Sequence, residues 1–319
     1  METVSIGIAG EFRCVVTKAD GSIKTDTGYQ RNLILNQGLD FFGGGKGSAI
    51  NTNCVIGSGN SSPSATQTTL DAFIAISKAT SSGSTSDYSY INKGDNKYTA
   101  WEQGFYRFIG LSGVNVSEVG LASEGTSSAN YYLTTRALIK DSLGEPTSIS
   151  VIAGETLDIY YKIYRVIDTS DKTHTINMIN GAGVTTPYNV VVRPSNIGSP
   201  YNKKLLEPLS VTRYIDVSTN DLAAITSQPA GASRVEPAVT LASYTTGSYK
   251  LVMTIKFGLN LANINIRSIS AHNGNLSLPF YFFQMRFGRV SDDFPIPKTD
   301  KETLTIPLEF SWGRYEGAL

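Results

Sequence analysis

Few residues in this chain have the type and spacing that chemistry requires. There are two histidines, His174 in a polar turn and His272 beside Asn273-Gly274. Neither has a second ligand at the spacing by which a helix binds zinc, so both read as exposed loop residues. The hydroxyls are many, but no Gly-x-Ser-x-Gly elbow lifts one of them out as a nucleophile. Gly43-Gly44-Gly45-Lys46-Gly47-Ser48 has the look of a phosphate-cradling loop. It carries Asp40 where the motif needs its first glycine and Gly47 where it needs the magnesium-binding hydroxyl, so it reads as a turn. Asp168, Asp171 and Asp292-Asp293 lack the alternating spacing of a calcium loop. Glu102, Glu118, Asp141 and Glu145 supply carboxylates for glycoside cleavage, but the sequence does not set any two at a working separation. Glu118, which alternates with Val116 and Val119, reads as a solvent-facing or cross-strand charge. No catalytic, cofactor-binding or metal-binding residue is therefore assigned, and a non-enzymatic protein is expected.

The composition points the same way. Charged residues make up 17% of the 319, while Tyr, Ser, Thr, Asn and Gly are plentiful, a mixture suited to strands joined by many turns. Lys plus Arg equals Asp plus Glu at 27 each, so the basic surplus of a nucleic-acid binder is absent. A surface near neutrality repels itself weakly, which favours self-association. Cys14 and Cys54 are too few for a disulfide framework and read as buried free thiols. The opening Met-Glu-Thr-Val-Ser has no basic or apolar region of a signal peptide. No apolar run of about 18 residues predicts a membrane-inserted helix.

The elements follow from periodicity. Val4 to Lys18 alternates as a strand, turns at Asp20-Gly21 and returns from Ile23 to Tyr29. Asn32, followed by Leu33, Ile34, Leu35, Gly38, Leu39 and Phe42, has the spacing of a capped short helix. Leu70, Phe73 and Ile74 predict a second short helix within Thr66 to Ile76. Strands are expected at Cys54 to Ile56, Tyr98 to Ile109, Asn115 to Leu121, Tyr131 to Lys140, Thr147 to Ile152 and Thr156 to Ile167, the last with Leu157, Ile159, Tyr161, Ile163, Arg165 and Ile167 on one face. In the second half, Thr175 to Met178, Tyr188 to Arg193, Lys250 to Leu259, Ile264 to Ala271, Phe280 to Arg286 and Leu304 to Trp312 carry the β signal.

The halves echo each other. Asn115-Val116-Ser117-Glu118-Val119 recurs as Asn265-Ile266-Arg267-Ser268-Ile269. Arg136 recurs at the same interval as Arg286, and Glu155-Thr156-Leu157-Asp158-Ile159 recurs as Glu302-Thr303-Leu304-Thr305-Ile306. The expected architecture is all-β with one or two short helices near the N-terminus. It comprises tandem antiparallel β-sandwich domains, residues 1–167 and 168–319, the second read as a diverged duplicate.

Three stretches resemble a known group of proteins. The first runs from the hairpin ending Asp26-Thr27-Gly28 into Asn32-Leu33-Ile34-Leu35-Asn36-Gln37-Gly38-Leu39. The second is Val55-Ile56-Gly57-Ser58-Gly59-Asn60-Ser61-Ser62-Pro63 with Thr66-Gln67-Thr68-Thr69-Leu70. The third is Ser117-Glu118-Val119-Gly120, then Arg136-Ala137-Leu138-Ile139-Lys140-Asp141 and Pro146-Thr147-Ser148-Ile149-Ser150-Val151. They look like the corresponding series in tail-associated virion proteins of tailed bacteriophages. Ile296-Pro297-Lys298-Thr299 and Phe310-Ser311-Trp312-Gly313-Arg314-Tyr315 are similar to phage tail C-terminal strands.

The resemblance implies a structural component of the virion, located in the tail as a sheath-like, collar, baseplate or short-fibre part, with head decoration as a variant. Its implied partners are other tail proteins and further copies of itself, a homo-oligomer assembled in the host cytoplasm. The alternative is a host-receptor or carbohydrate-binding module that contacts a host surface glycan, with a polysaccharide depolymerase behind it. Trp101 and Trp312 are the candidate sugar platforms, and Trp312 also reads as core or interface packing. Tyr88, Tyr90 and Tyr98, in a Ser- and Gly-rich stretch from Ser81 to Tyr98, form the candidate contact loop; its other reading is a solvated loop with one Tyr packed onto the sheet.

Overall fold

A computed structural model describes residues 4–43, 52–79, 90–93, 96–123, 130–180, 182–195, 197, 214–273 and 280–319. The first half contains β1 (Val4–Thr17), β2 (Ile23–Asp26), β3 (Gln30–Arg31), β4 (Leu33–Ile34), α1 (Asn36–Gly43), β5 (Asn53–Gly57), β6 (Phe73–Lys78) and β7 (Tyr90–Lys93). It continues with β8 (Lys97–Phe108), β9 (Val114–Val116), β10 (Glu118–Ser123), β11 (Tyr132–Leu133), β12 (Thr135–Leu138), β13 (Ile149–Val151) and β14 (Thr156–Asp168). The second half contains β15 (Lys172–Ile179), β16 (Thr185–Pro194), β17 (Tyr214–Ser218), β18 (Ser233–Val235), β19 (Ala238–Leu241) and β20 (Lys250–Phe257). It closes with β21 (Asn265–Ile266), β22 (Ser268–Asn273), β23 (Phe280–Arg289), β24 (Ile296–Pro297) and β25 (Leu304–Arg314). The chain is all-β, with α1 the one α-helix among the described residues.

A wide sheet orders its strands β19-β20-β25-β1-β14-β8-β7, with β2 and β3 pairing the second half of β1. Every neighbour on this path is antiparallel except β1 and β25, which run parallel from Val4 opposite Phe310 to Ile8 opposite Arg314. That exception relates the two flanks. Outward from β1, the strands β14, β8 and β7 have the reverse directions of β25, β20 and β19. The flanks are thus related by an approximate two-fold axis along the sheet normal, through β1.

Each flank has its own second layer. The first is the sheet β4-β12-β10-β5-β6, and the second is β15-β16-β23-β22-β17-β18. Phe12, Tyr106, Tyr161 and Ile163 from the wide sheet pack with Ile56, Val119, Leu121 and Ile139 in one core. Met253, Ile255, Phe257 and Leu308 pack with Val192, Ile215, Ile269 and Phe287 in the other. Leu304, Ile306, Leu308 and Phe310 lie in the second core, and Trp312, of the same alternation, lies in the first. Both small sheets therefore cover the same face of the wide sheet.

The register of the two halves also matches. Leu157 lies opposite Phe108, as Leu304 does opposite Phe257. Val116 lies opposite Ile149, as Ile266 does opposite Ile296. Glu118 is flanked by Gly57 and Leu138, and Ser268 by Ser218 and Arg286. The counterpart of Arg286 is therefore Leu138. Arg136 corresponds to Gln284, two residues before the arginine that equal sequence spacing selects. The two halves meet between β14 and β15, yet β1 and β25 join them in one sheet.

The helix read from Asn32 begins later. Leu33 and Ile34 instead pair with Arg136 and Thr135, and Asn32 donates from Nδ2 to the Tyr161 hydroxyl at 2.5 Å. The second expected helix is a strand, β6, because Phe73 to Lys78 pair with β5. Tertiary pairing overrides helical spacing in both places. The two histidines lie in strands rather than loops, His174 in β15 opposite Val190 and His272 in β22 opposite Tyr214. Cys14 and Cys54 are buried free thiols, and burial pushes Cys14 up to about 12.

Candidate functional site

The second and third of the phage-like stretches meet in a buried clasp. The connection from β5 to β6 folds back over the end of β10, where Glu118 is fully buried. Its Oε1 accepts from the backbone N–H of Gly59 and of Ala72, each at 2.9 Å. Its Oε2 accepts from the Asp71 N–H at 3.3 Å and from Arg136 Nε at 2.8 Å. Arg136, also fully buried, donates onward from Nη1 to Gln67 and Ser61 and from Nη2 to Asp71, whose carboxylate also accepts from the Ser61 N–H. Hydrogen bonding to Ser61, then Arg136, holds the Asp71 carboxyl below the usual range.

Gly57 and Gly59 permit this approach. A Cβ on either would lie 2.4 to 2.5 Å from Glu118 Oε1. Glu118 is thus not a surface charge. The alternation misled because Glu118 does point away from the core that holds Val116 and Val119, but the β5–β6 connection covers it there. Of the other candidate carboxylates, Glu102 pairs with Arg165, Asp141 orders its own turn by accepting from the N–H groups of Leu143 and Glu145, and Glu145 is exposed.

Of the candidate contact loop, Tyr88 lies outside the described residues. Tyr90 begins β7 opposite Ala100. Tyr98 is 4% exposed and belongs to the first core with Ala100 and Tyr106, so it packs onto the sheet. Trp312 is likewise a core residue; its Nε1 donates to Leu39 O at 2.8 Å and its ring stacks on Tyr244.

The surface left open is the other face of the wide sheet, on which no sheet or helix packs among the described residues. Strand alternation sends Trp101, Gln103, Phe105 and Arg107 of β8 there, with Tyr160, Lys162 and Tyr164 of β14 and Glu11 and Arg13 of β1. Lys162 Nζ lies 4.0 Å from the Tyr29 ring centroid and 4.4 Å from that of Trp101, and desolvation lowers its pKa. The Tyr29 hydroxyl donates to Gln103 and that of Tyr164 to Glu11, each at 2.6 Å. Arg107 forms a two-pronged pair with Asp158 while lying over Phe105. The β20–β25 part of the same face carries Lys250, Val252, Thr254, Thr305, Pro307, Glu309 and Ser311, with no aromatic ring. At one end of this face, where β1, β14 and β25 meet, a cavity of about 510 Å³ opens.

The aromatic–cationic face was readable from strand parity, since each of its residues alternates with a core residue. Its meeting with Tyr29 was not, because that contact depends on how the β2–β3 segment crosses β1. Among the described residues no three His, Cys, Asp or Glu side chains gather as a metal site. No protein-family model, curated protein or solved structure matches this chain.

Proposed function

We propose that the chain is a structural component of a bacteriophage virion, part of the tail, which assembles with itself and with neighbouring tail proteins. The observation that supports this reading is the convergence of the phage-like motifs on a scaffold element. Gly57, Gly59 and Gln67 of the second stretch meet Glu118 and Arg136 of the third in one clasp. Leu39 of the first stretch is bonded by Trp312 of the C-terminal one. These residues build framework, which is what a protein selected for shape and assembly needs to keep. A wide sheet with an open face and two edges, β7 and β19, offers the contacts for assembly. Electron microscopy of phage particles with gold-tagged antibody against the chain tests this. Label on the tail is expected; label on the head, or none, overturns the placement.

A second reading, a module that contacts a host surface glycan, is supported by the open face itself. Trp101 stands there among hydrogen-bonding side chains, on the face where the cavity also opens, and flat aromatic surfaces with polar neighbours hold sugar rings. A glycan array carrying host surface polysaccharides checks it, and an array without hits removes it.

A further inference from the structure

Part of the floor of the cavity at the end of the open face carries no side chain. Gly7 of β1 and Gly313 of β25 lie opposite each other across the parallel pair, and both line it. A Cβ on Gly313 would meet nothing within 4 Å, whereas one on Gly7 would lie 2.8 Å from Tyr315 Cβ. Tyr315 therefore forms one wall, packed down onto the floor. Asn96, Lys97, Asp168 and Ser170 form the other.

The charges in this wall are not equivalent. Asp168 already accepts from Ser170 and from Lys172 Nζ at 2.5 Å. Lys97 is exposed and lies 5.8 Å from the Tyr315 ring centroid, and among the described residues no carboxylate pairs with it. Arg314 also lines the cavity, but its guanidinium turns to the covered side of the sheet, with Nε bonded to Ile34 O and Nη2 to Asn36. On the open side the lining thus holds one ammonium, Lys97, in register opposite one carboxylate, Asp168, which Lys172 already pairs.

A flat floor, an aromatic wall, and hydroxyl and amide groups from Ser5, Ser170 and Asn96 suit a ring bearing several hydroxyls. An ammonium at the rim that pairs with no carboxylate among the described residues suits a carboxylate on that ring. We infer that this cavity binds a sugar residue carrying a carboxylate, a uronic-acid unit of an acidic surface polysaccharide. The ring lies against Tyr315 and Gly313, and the carboxylate meets Lys97. This inference rests on the glycan reading above and gives it a place and a ligand class.

The test uses the full chain with two probes, methyl β-glucuronide and methyl β-glucoside, followed by saturation-transfer NMR titration at pH 7. The glucuronide is expected to bind about tenfold more tightly, the scale of one charge-assisted contact. Lys97→Met removes that preference and leaves glucoside binding in place. Gly313→Val places its side chain in open space within a strand, so it retains the fold, checked by thermal melting, and abolishes binding of both probes. Thr305→Ala, on the same face but outside the cavity lining, leaves both affinities unchanged. Equal affinity for the two probes overturns the inference. So does binding that survives Gly313→Val and disappears in Trp101→Ala, although the glycan reading then stands. Binding of neither probe overturns the inference as well; array hits on other glycans in that case keep the wider reading, and an empty array ends both.

Discussion

Arg136 and Gln284 occupy the same register position in the two halves, and the difference between them separates what the repeated scaffold requires from what it tolerates. Both side chains are fully buried. Both anchor a loop over the small sheet, Arg136 the loop 58–72 and Gln284 the loop 219–232. Arg136 does so with charge, through Glu118, Asp71, Gln67 and Ser61. Gln284 does so as a neutral amide, accepting from the Ala223 N–H at 2.8 Å and donating to the carbonyls of Ala223 and Ala224. At the position of Glu118 the second half has Ser268, which donates to Asn220 O at 2.7 Å. The scaffold requires a polar anchor because the loop's backbone groups are taken out of water there. It does not require a buried ion pair; the pair that also ties the second loop, Arg286 with Asp221, is at the surface.

The two solutions should differ in what it costs to break them. Arg136→Met leaves Glu118 as a buried carboxylate without its cation, and a loss of about 3–5 kcal/mol is expected. Chemical denaturation measures this, and a loss below about 1 kcal/mol would show that the clasp contributes little. Gln284→Met strands neutral backbone groups only, at an expected cost of about 1–3 kcal/mol. If Gln284→Met proved as damaging as Arg136→Met, the contrast between charged and neutral anchors would fail. The double variant Arg136→Met with Glu118→Gln sharpens the comparison. It removes both charges, so it should be more stable than Arg136→Met alone although it carries one more substitution.

The legible parts of this fold were those governed by local alternation. Leu157 to Ile167 showed its inward face directly, and the echo of Glu155-Thr156-Leu157-Asp158-Ile159 in Glu302-Thr303-Leu304-Thr305-Ile306 fell on strands in the same register, β14 and β25. Equal spacing failed at Arg136 and Arg286 because the connection between the paired strands differs in length. Ile139 donates back to Ser117, and Phe287 to Arg267, so the second connection is two residues shorter. The clasp was hidden for a different reason. Glu118 and Arg136 are far apart in sequence, and nothing local distinguishes a buried carboxylate from a cross-strand surface charge. Gly57 and Gly59 held the one available signal, two glycines flanking a serine directly after a buried strand. Leu70, Phe73 and Ile74 had helical spacing, but the N–H groups of Asp71 and Ala72 that a helix would use are taken by Glu118.

The smallest expected effect concerns acid. Asp71 is held below the usual carboxylate range by Ser61 and then Arg136. Its folded pKa is lower than its unfolded value of about 3.9. The stability it contributes is therefore complete above the unfolded value and is lost as pH falls through the folded one. Its side chain is 30% exposed, so solvent screening keeps that contribution below about 1 kcal/mol. The buried anchors of the second loop, Gln284 and Ser268, carry no titratable group. Hydrogen-exchange protection factors at pH 7 and pH 3 should fall more in residues 58–72 than in 219–232, and Asp71→Asn should lessen the difference. Equal loss of protection in the two loops would mean that acid acts on the wide sheet they share rather than on the charged clasp.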